Sequence, residues 1–163
     1  MQMPVTERLG HHVKRVEQEL IALKQAALKP AGLTVAQYTV LVVLAQNPGA
    51  SAAALARLCL VTPQTVATIL TNLEGKGLVV RTPHPYHRNA TETRLTEAGE
   101  ETLATADAAA VRIEHRLGDA FTAEERGLLI ELLGRCSTTF HAMAEEVDGG
   151  RGVLAPFRGA SGA

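Results

Sequence analysis

The stretch from Thr62 to Leu95 leaves this chain few folds to adopt. It reads as a helix, a glycine stop, a short strand, a proline-bounded loop with an arginine at its tip, and a returning strand. Thr62 is a good N-cap, and Pro63 falls at the first helical position, where its missing N–H costs nothing. Val66, Ile69, Leu70 and Leu73 recur with the helical period, so one face is buried. Gln64, Thr65, Thr68 and Asn72 are left on the opposite, exposed face. Gly77 follows Lys76 where a left-handed cap ends a helix. Leu78 to Thr82 and Asn89 to Leu95 are β-branched runs on either side of Pro83 and Pro85, which is a hairpin signal.

Upstream, Thr6 to Leu28 carries the stripe Leu9, Val13, Val16, Leu20, Leu23 and Ala27, a first helix ended by Pro30 and Gly32. Thr34 and Gln37 have capping-box spacing and open a helix from Val35 to about Ala45, apolar nearly all round and therefore central. Asn47-Pro48-Gly49 is a turn. Ser51 caps a short helix, Ala52 to Cys59, with Leu55 and Leu58 expected to face inward. This helix and the one after Thr62 are separated by a very short turn, as in a helix-turn-helix pair. With the hairpin they make a winged helix-turn-helix. Thr96 caps a long helix to about Leu117, and Thr122 with Glu125 opens a last helix to about Val147. Residues 148–163 are Gly-rich without an apolar stripe and are expected to form a flexible tail.

Charge is unevenly spread. The net formal charge is −1, yet from Thr34 to Thr96 five cations (Arg57, Lys76, Arg81, Arg88, Arg94) face only Glu74 and Glu92. A basic centre between acidic ends suits a protein that offers one face to a polyanion. Cys59 and Cys136 make no disulfide framework, and neither a signal peptide nor a membrane-length apolar run is present, so the chain reads as cytoplasmic. No phosphate-binding glycine loop, nucleophile elbow or metal-spaced carboxylate set supports an enzyme, and no cofactor is expected.

The motifs L-T-x-x-Q-Y-x-V-L at Leu33 to Leu41, A-x-L-A-R at Ala53 to Arg57, T-V-A-T-I-L-T-N-L-E-G-K-G-L-V-x-R-T-P at Thr65 to Pro83 and L-T-E-A-G at Leu95 to Gly99 together resemble the MarR family of transcriptional regulators. The resemblance implies a mainly α fold with a small β-hairpin wing (α+β), in one domain spanning 1–147. Within it, 33–96 would be the winged-helix DNA-binding lobe, and 1–32 and 97–147 the dimerisation helices. It implies a homodimer on a palindromic DNA operator, most often a repressor, relieved by a small anionic or phenolic effector. Pro63 to Lys76 matches the family's recognition helix, and Arg88 its wing-tip arginine. The usual wing D-P-x-D-R-R is here His84-Pro85-Tyr86-His87-Arg88-Asn89, with both acids replaced by histidine.

Gln64 can pair bidentately with adenine, while Thr65 and Thr68 can offer a hydroxyl or meet a thymine methyl. Arg88 is expected in the minor groove or on a phosphate, with His87 beside it. Ser51, Thr62, Lys76 and Arg81 complete the expected DNA contacts, and Arg57 and Arg94 are further phosphate candidates. So few cations predict a shallow salt dependence for a dimer, a log–log slope nearer ~5 than ~10. Leu9, Val13, Leu129, Leu132, Leu133 and Phe140 are too apolar for a small lobe to cover and are assigned to the dimer interface. Val16, Leu20 and Tyr38 fall where the family's effector pocket would lie, although packing alone accounts for them. Three alternatives stay open: a winged helix used for protein interaction, a metal-responsive regulator using His84 and His87 or His11, His12, His115 and His141, and a redox-responsive one using Cys59 or Cys136.

Overall fold

The computed structural model describes residues 3–83 and 91–148. His87, Arg88, the histidine pair of the wing and the Gly-rich tail therefore lie outside the described residues, apart from Asp148. Six helices and one hairpin follow in order: α1 (Leu9–Leu28), α2 (Val35–Gln46), α3 (Ala52–Leu58), α4 (Pro63–Gly75), β1 (Val79–Pro83), β2 (Thr91–Leu95), α5 (Glu97–Gly118) and α6 (Ala123–Asp148). The architecture is mainly helical with an antiparallel hairpin, as the sequence pattern implies.

Local chemistry sets most of these boundaries. Thr34 Oγ1 accepts the Gln37 N–H while Gln37 Oε1 accepts the Thr34 N–H, both at 3.1 Å. The second capping box is also formed: Thr122 N donates to Glu125 Oε2 at 2.8 Å, and Glu125 N to Thr122 Oγ1 at 3.2 Å. Gly77 ends α4 with φ of 69°, in the left-handed region. The first helix starts later than its sequence suggests. Val5–Glu7 is a 3-10 turn, and Arg8 is extended (φ −81°, ψ 111°) as it donates through Nε to the Met3 carbonyl at 3.0 Å.

The core sits under α2. Val40, Leu41 and Leu44 meet Leu55 and Ala56 of α3, Val66, Leu70 and Leu73 of α4, and Leu78 and Val79 at the start of the hairpin. Leu28 and Leu33 close it from the α1 side, and Ala106 from α5. Leu58 does not join them: it is 47% exposed. At 100° per residue the inward face of α3 is centred between Leu55 and Ala56, and Leu58 lies well around the cylinder from it. Cys59, the C-cap, packs against the core instead, and burial pushes its thiol up, away from the reactive thiolate.

The turn between α3 and α4 carries a conformational cost. Leu60 has φ of +57°, the only positive value at a non-glycine among the described residues, and its side chain is 46% exposed. A left-handed leucine costs about 1–2 kcal/mol, and glycine recovers that at the expense of some chain entropy. Leu60→Gly is therefore expected to raise stability by about 0.5–1 kcal/mol in denaturant titrations. A lower unfolding midpoint would mean that the half-exposed side chain contributes more than the strain it brings.

The hairpin pairs Val79 with Leu95 through Pro83 with Thr91. Residues 49–50 extend the sheet by two bonds, Gly49 N to Thr93 O (2.9 Å) and Thr93 N to Ala50 O (3.3 Å), so Thr93 is fully enclosed. Thr96 joins β2 to α5: its Oγ1 donates to Gly77 O at 2.7 Å and accepts from Gly99 N at 3.0 Å, and its N–H reaches Leu78 O at 3.1 Å.

The long terminal helices behave differently from the lobe. Leu28 is the one buried residue of α1, and the stripe residues Leu9, Val13, Val16 and Leu23 are exposed. α6 runs about 39 Å at 1.5 Å per residue and packs substantially on no other element among the described residues. Leu128, Leu129, Ile130, Leu132, Leu133, Phe140 and Met143 are all exposed on it. No single helix among the described residues is long and apolar enough to cross a membrane.

Candidate nucleic-acid interface

α4 divides cleanly into two faces. Val66, Leu70 and Leu73 are fully buried, with Ile69 at the core edge, while Gln64, Thr65, Thr68 and Asn72 point outward. Thr62 Oγ1 accepts the Thr65 N–H at 3.2 Å and lies 2.8 Å from Thr65 Oγ1. Thr68 Oγ1 donates to Gln64 O at 3.1 Å. Having spent its hydrogen on the backbone, the Thr68 hydroxyl can only accept, which suits the exocyclic amino group of adenine or cytosine. The Gln64 amide has no intramolecular partner among the described residues and keeps its full donor–acceptor fork free. Ser51, at the start of α3, accepts the Ala54 N–H through Oγ at 3.3 Å.

The expected cations are mostly engaged within the chain. Lys76 Nζ donates to Gly32 O at 2.6 Å and to Gln37 Oε1 at 3.1 Å, tying the end of α4 to the entry of α2. Lys76 lies about 18 Å along the helix axis from Gln64, at 1.5 Å per residue, far from the N-terminal end of α4. Arg81 is paired with Glu74, and the pairing holds the Glu74 carboxyl below its ordinary range. Arg94 donates to Glu92 Oε2 at 3.0 Å. Arg57 alone of the four described candidates has neither an ion-pair partner nor a side-chain hydrogen bond among the described residues. The structure thus gathers Thr62, Gln64, Thr65 and Thr68 at the N-terminal end of α4 as an uncharged surface, leaves Ser51 at the start of α3, and gives Lys76 a structural task.

Of the three residues assigned to an effector pocket, two line one groove and the third makes a separate contact among the described residues. Val16 and Leu20 line a groove of about 400 Å³ with Leu23, Ile113 and Arg116, between α1 and α5. Tyr38 instead donates its hydroxyl hydrogen to Asp107 Oδ1 at 2.6 Å, joining α2 to α5. Burial, then that carboxylate, raises the Tyr38 phenol above its ordinary value. Asp107 in turn borders a cavity of about 560 Å³ formed by α2, the base of β2 and α5, with Val42, Gln46, Arg94 and Leu103 in its walls. The Tyr38–Asp107 bond spans 69 residues, and no local pattern in the sequence announces it. The Glu74–Arg81 pair had a faint signal, opposite charges on either side of the glycine stop. Among the described residues no group of three or more His, Cys, Asp or Glu side chains could hold a metal ion.

Known proteins resemble this chain in sequence and fold. Residues 31–88 match the MarR family model. Over 118 residues the chain is 35% identical to an HTH-type transcriptional repressor of Mycobacterium tuberculosis, covering 72% of this chain and 85% of that protein. The transcriptional repressor CouR, bound to a 23-mer DNA duplex, superposes with a TM-score of 0.75 at 30% identity, over 84% of this chain and 99% of its own. A Mycobacterium tuberculosis MarR family protein in complex with salicylic acid gives a TM-score of 0.61 at 32% identity, over 79% and 96% of the two chains.

Proposed function

The chain belongs to the MarR family of winged-helix transcriptional regulators, and on that footing we propose that it binds a palindromic operator as a homodimer and represses transcription until a small-molecule effector weakens the grip. The observation that carries this reading is the division of α4: one face locked in the core, the other presenting Gln64, Thr65 and Thr68, exposed among the described residues. Such a helix, inserted in a major groove, reads base edges through its N-terminal half. Ser51 and Thr62 would meet phosphates, and Arg57 supplies an unpaired positive charge on the same lobe. His87 and Arg88 are assigned to the wing contact by resemblance.

The dimer would be built from the exposed apolar residues of α1 and α6, including Leu9, Val13, Leu129, Leu132, Leu133 and Phe140. A two-fold axis through these helices would set the two copies of α4 about one DNA turn apart. The salicylic acid held by the mycobacterial relative supports a small aromatic acid as the class of effector. In this chain the Tyr38–Asp107 bond crosses from the DNA-binding lobe to α5, so a ligand that alters the spacing of those elements would shift the protein between binding-competent and incompetent forms.

Selection of bound sequences from a random DNA pool tests the proposal. The expected result is a two-fold symmetric motif with half-sites about one turn apart. In the Gln64→Ala protein one adenine in each half-site should lose its preference, at a cost of about 1–3 kcal/mol. A pool that enriches no motif would remove the operator reading and favour a winged helix used for protein contacts.

A further inference from the structure

Arg81 stands on β1 beside the recognition helix, yet its guanidinium is turned back onto α4. Nε donates to Glu74 Oε2 at 3.0 Å, and Nη2 donates to the same oxygen. One carboxylate oxygen therefore receives both N–H groups, which is not the fork-to-fork pairing that makes arginine–carboxylate contacts strong. The two side chains keep 33% and 39% of their surface in water, so the pair opens at little cost. It borders a cleft of about 450 Å³ between α3, α4 and the hairpin, whose other walls are Ala52, Pro83, Thr91 and Thr93. Glu74 is the one acid in α4, and it sits against the one cation on β1.

We infer that Arg81 is a DNA-phosphate ligand held in reserve by Glu74, which thereby lowers affinity for DNA at large and leaves discrimination to the outer face of α4. The inference rests on the DNA-binding reading above. A phosphate offers the guanidinium two oxygens at once, a better geometry than the single carboxylate oxygen it now has. Taking Arg81 away leaves Glu74 bare beside a polyanion, and that opposes the exchange. The same cost enters nonspecific and specific complexes, so the guard weakens both while the base contacts of α4 set the ratio between them.

The test uses the full chain as wild type, Glu74→Gln, Arg81→Gln and the double variant. Each is titrated with a fluorescent duplex of random sequence from about 50 to about 200 mM salt, across which each phosphate contact changes affinity about threefold. Glu74→Gln should bind about threefold or more tightly per engaged protomer at the low-salt end, with a log–log slope steeper by about 1. Arg81→Gln should bind more weakly with a shallower slope, and adding Glu74→Gln to it should leave the slope where it was. If the pair only braces the wing, Glu74→Gln will weaken binding, and the inference is overturned. Equal tightening in the Arg81→Gln background would overturn it too, because long-range charge alone would then suffice. Binding by wild type with no response to Glu74→Gln removes this inference and spares the DNA-binding reading. Absence of binding by every protein would remove both.

Discussion

Gly99→Ala is expected to lower the stability of the protein by about 1–3 kcal/mol, although alanine is the better helix former. A Cβ at Gly99 would lie 2.0 Å from Leu78 O and 3.0 Å from Leu78 C, where no atom fits. Neither side of the contact yields easily. Leu78 and Val79 are buried in the core, and the first turn of α5 is fastened by Thr96 to Gly77 O and Leu78 O. Opening the gap by more than an ångström would break the Thr96–Leu78 bond, worth about 1 kcal/mol, and strain packing by about 1–3 kcal/mol. Alanine's intrinsic advantage in a helix offsets only about 1 kcal/mol of this. Thermal unfolding at fixed protein concentration should show a midpoint lower by about 3–10 °C for a chain of this length. An unchanged midpoint would mean that the first turn of α5 does not lie against Leu78 as described.

The second large effect concerns assembly. Leu129 and Leu133 lie four residues apart on one side of α6, and 40% and 48% of their respective surfaces are exposed in the single chain. Leu129→Glu combined with Leu133→Lys puts charge on that face in an order that supports an isolated helix. The lobe should keep its stability, because neither residue belongs to its core. Light scattering should report a monomer, and operator affinity should fall at least about a hundredfold with the loss of two-site avidity. A dimer that survives the pair of substitutions would move the interface elsewhere.

How far the sequence reveals these features depends on the range over which each is determined. The caps at Thr34, Thr62, Thr96 and Thr122 are decided within three residues, and every one forms its side-chain-to-backbone bond. The inward stripe of α4 is long enough for its period to be unmistakable. On the seven-residue α3 a period barely repeats, and Leu58 consequently faces out where Cys59 faces in. Side-chain partners are the least legible. Lys76 finds Gly32 across 44 residues, and Tyr38 finds Asp107 across 69, distances over which only the assembled fold brings groups together. Charge near a recognition helix suggests phosphate contact; whether that charge is already taken is a question for tertiary structure.

The two-faced construction of α4 also bears on how such a protein diversifies. Its inner residues belong to the core, while Gln64, Thr65, Thr68 and Asn72 are exposed and outside that core, Thr65 and Thr68 bonding only within α4 and its cap among the described residues. Exchanges at exposed helix positions usually change stability by less than about 0.5 kcal/mol. If that face reads the operator as proposed, one copy can after a gene duplication drift to a new set of target promoters through substitutions there, with little compensating change in the scaffold.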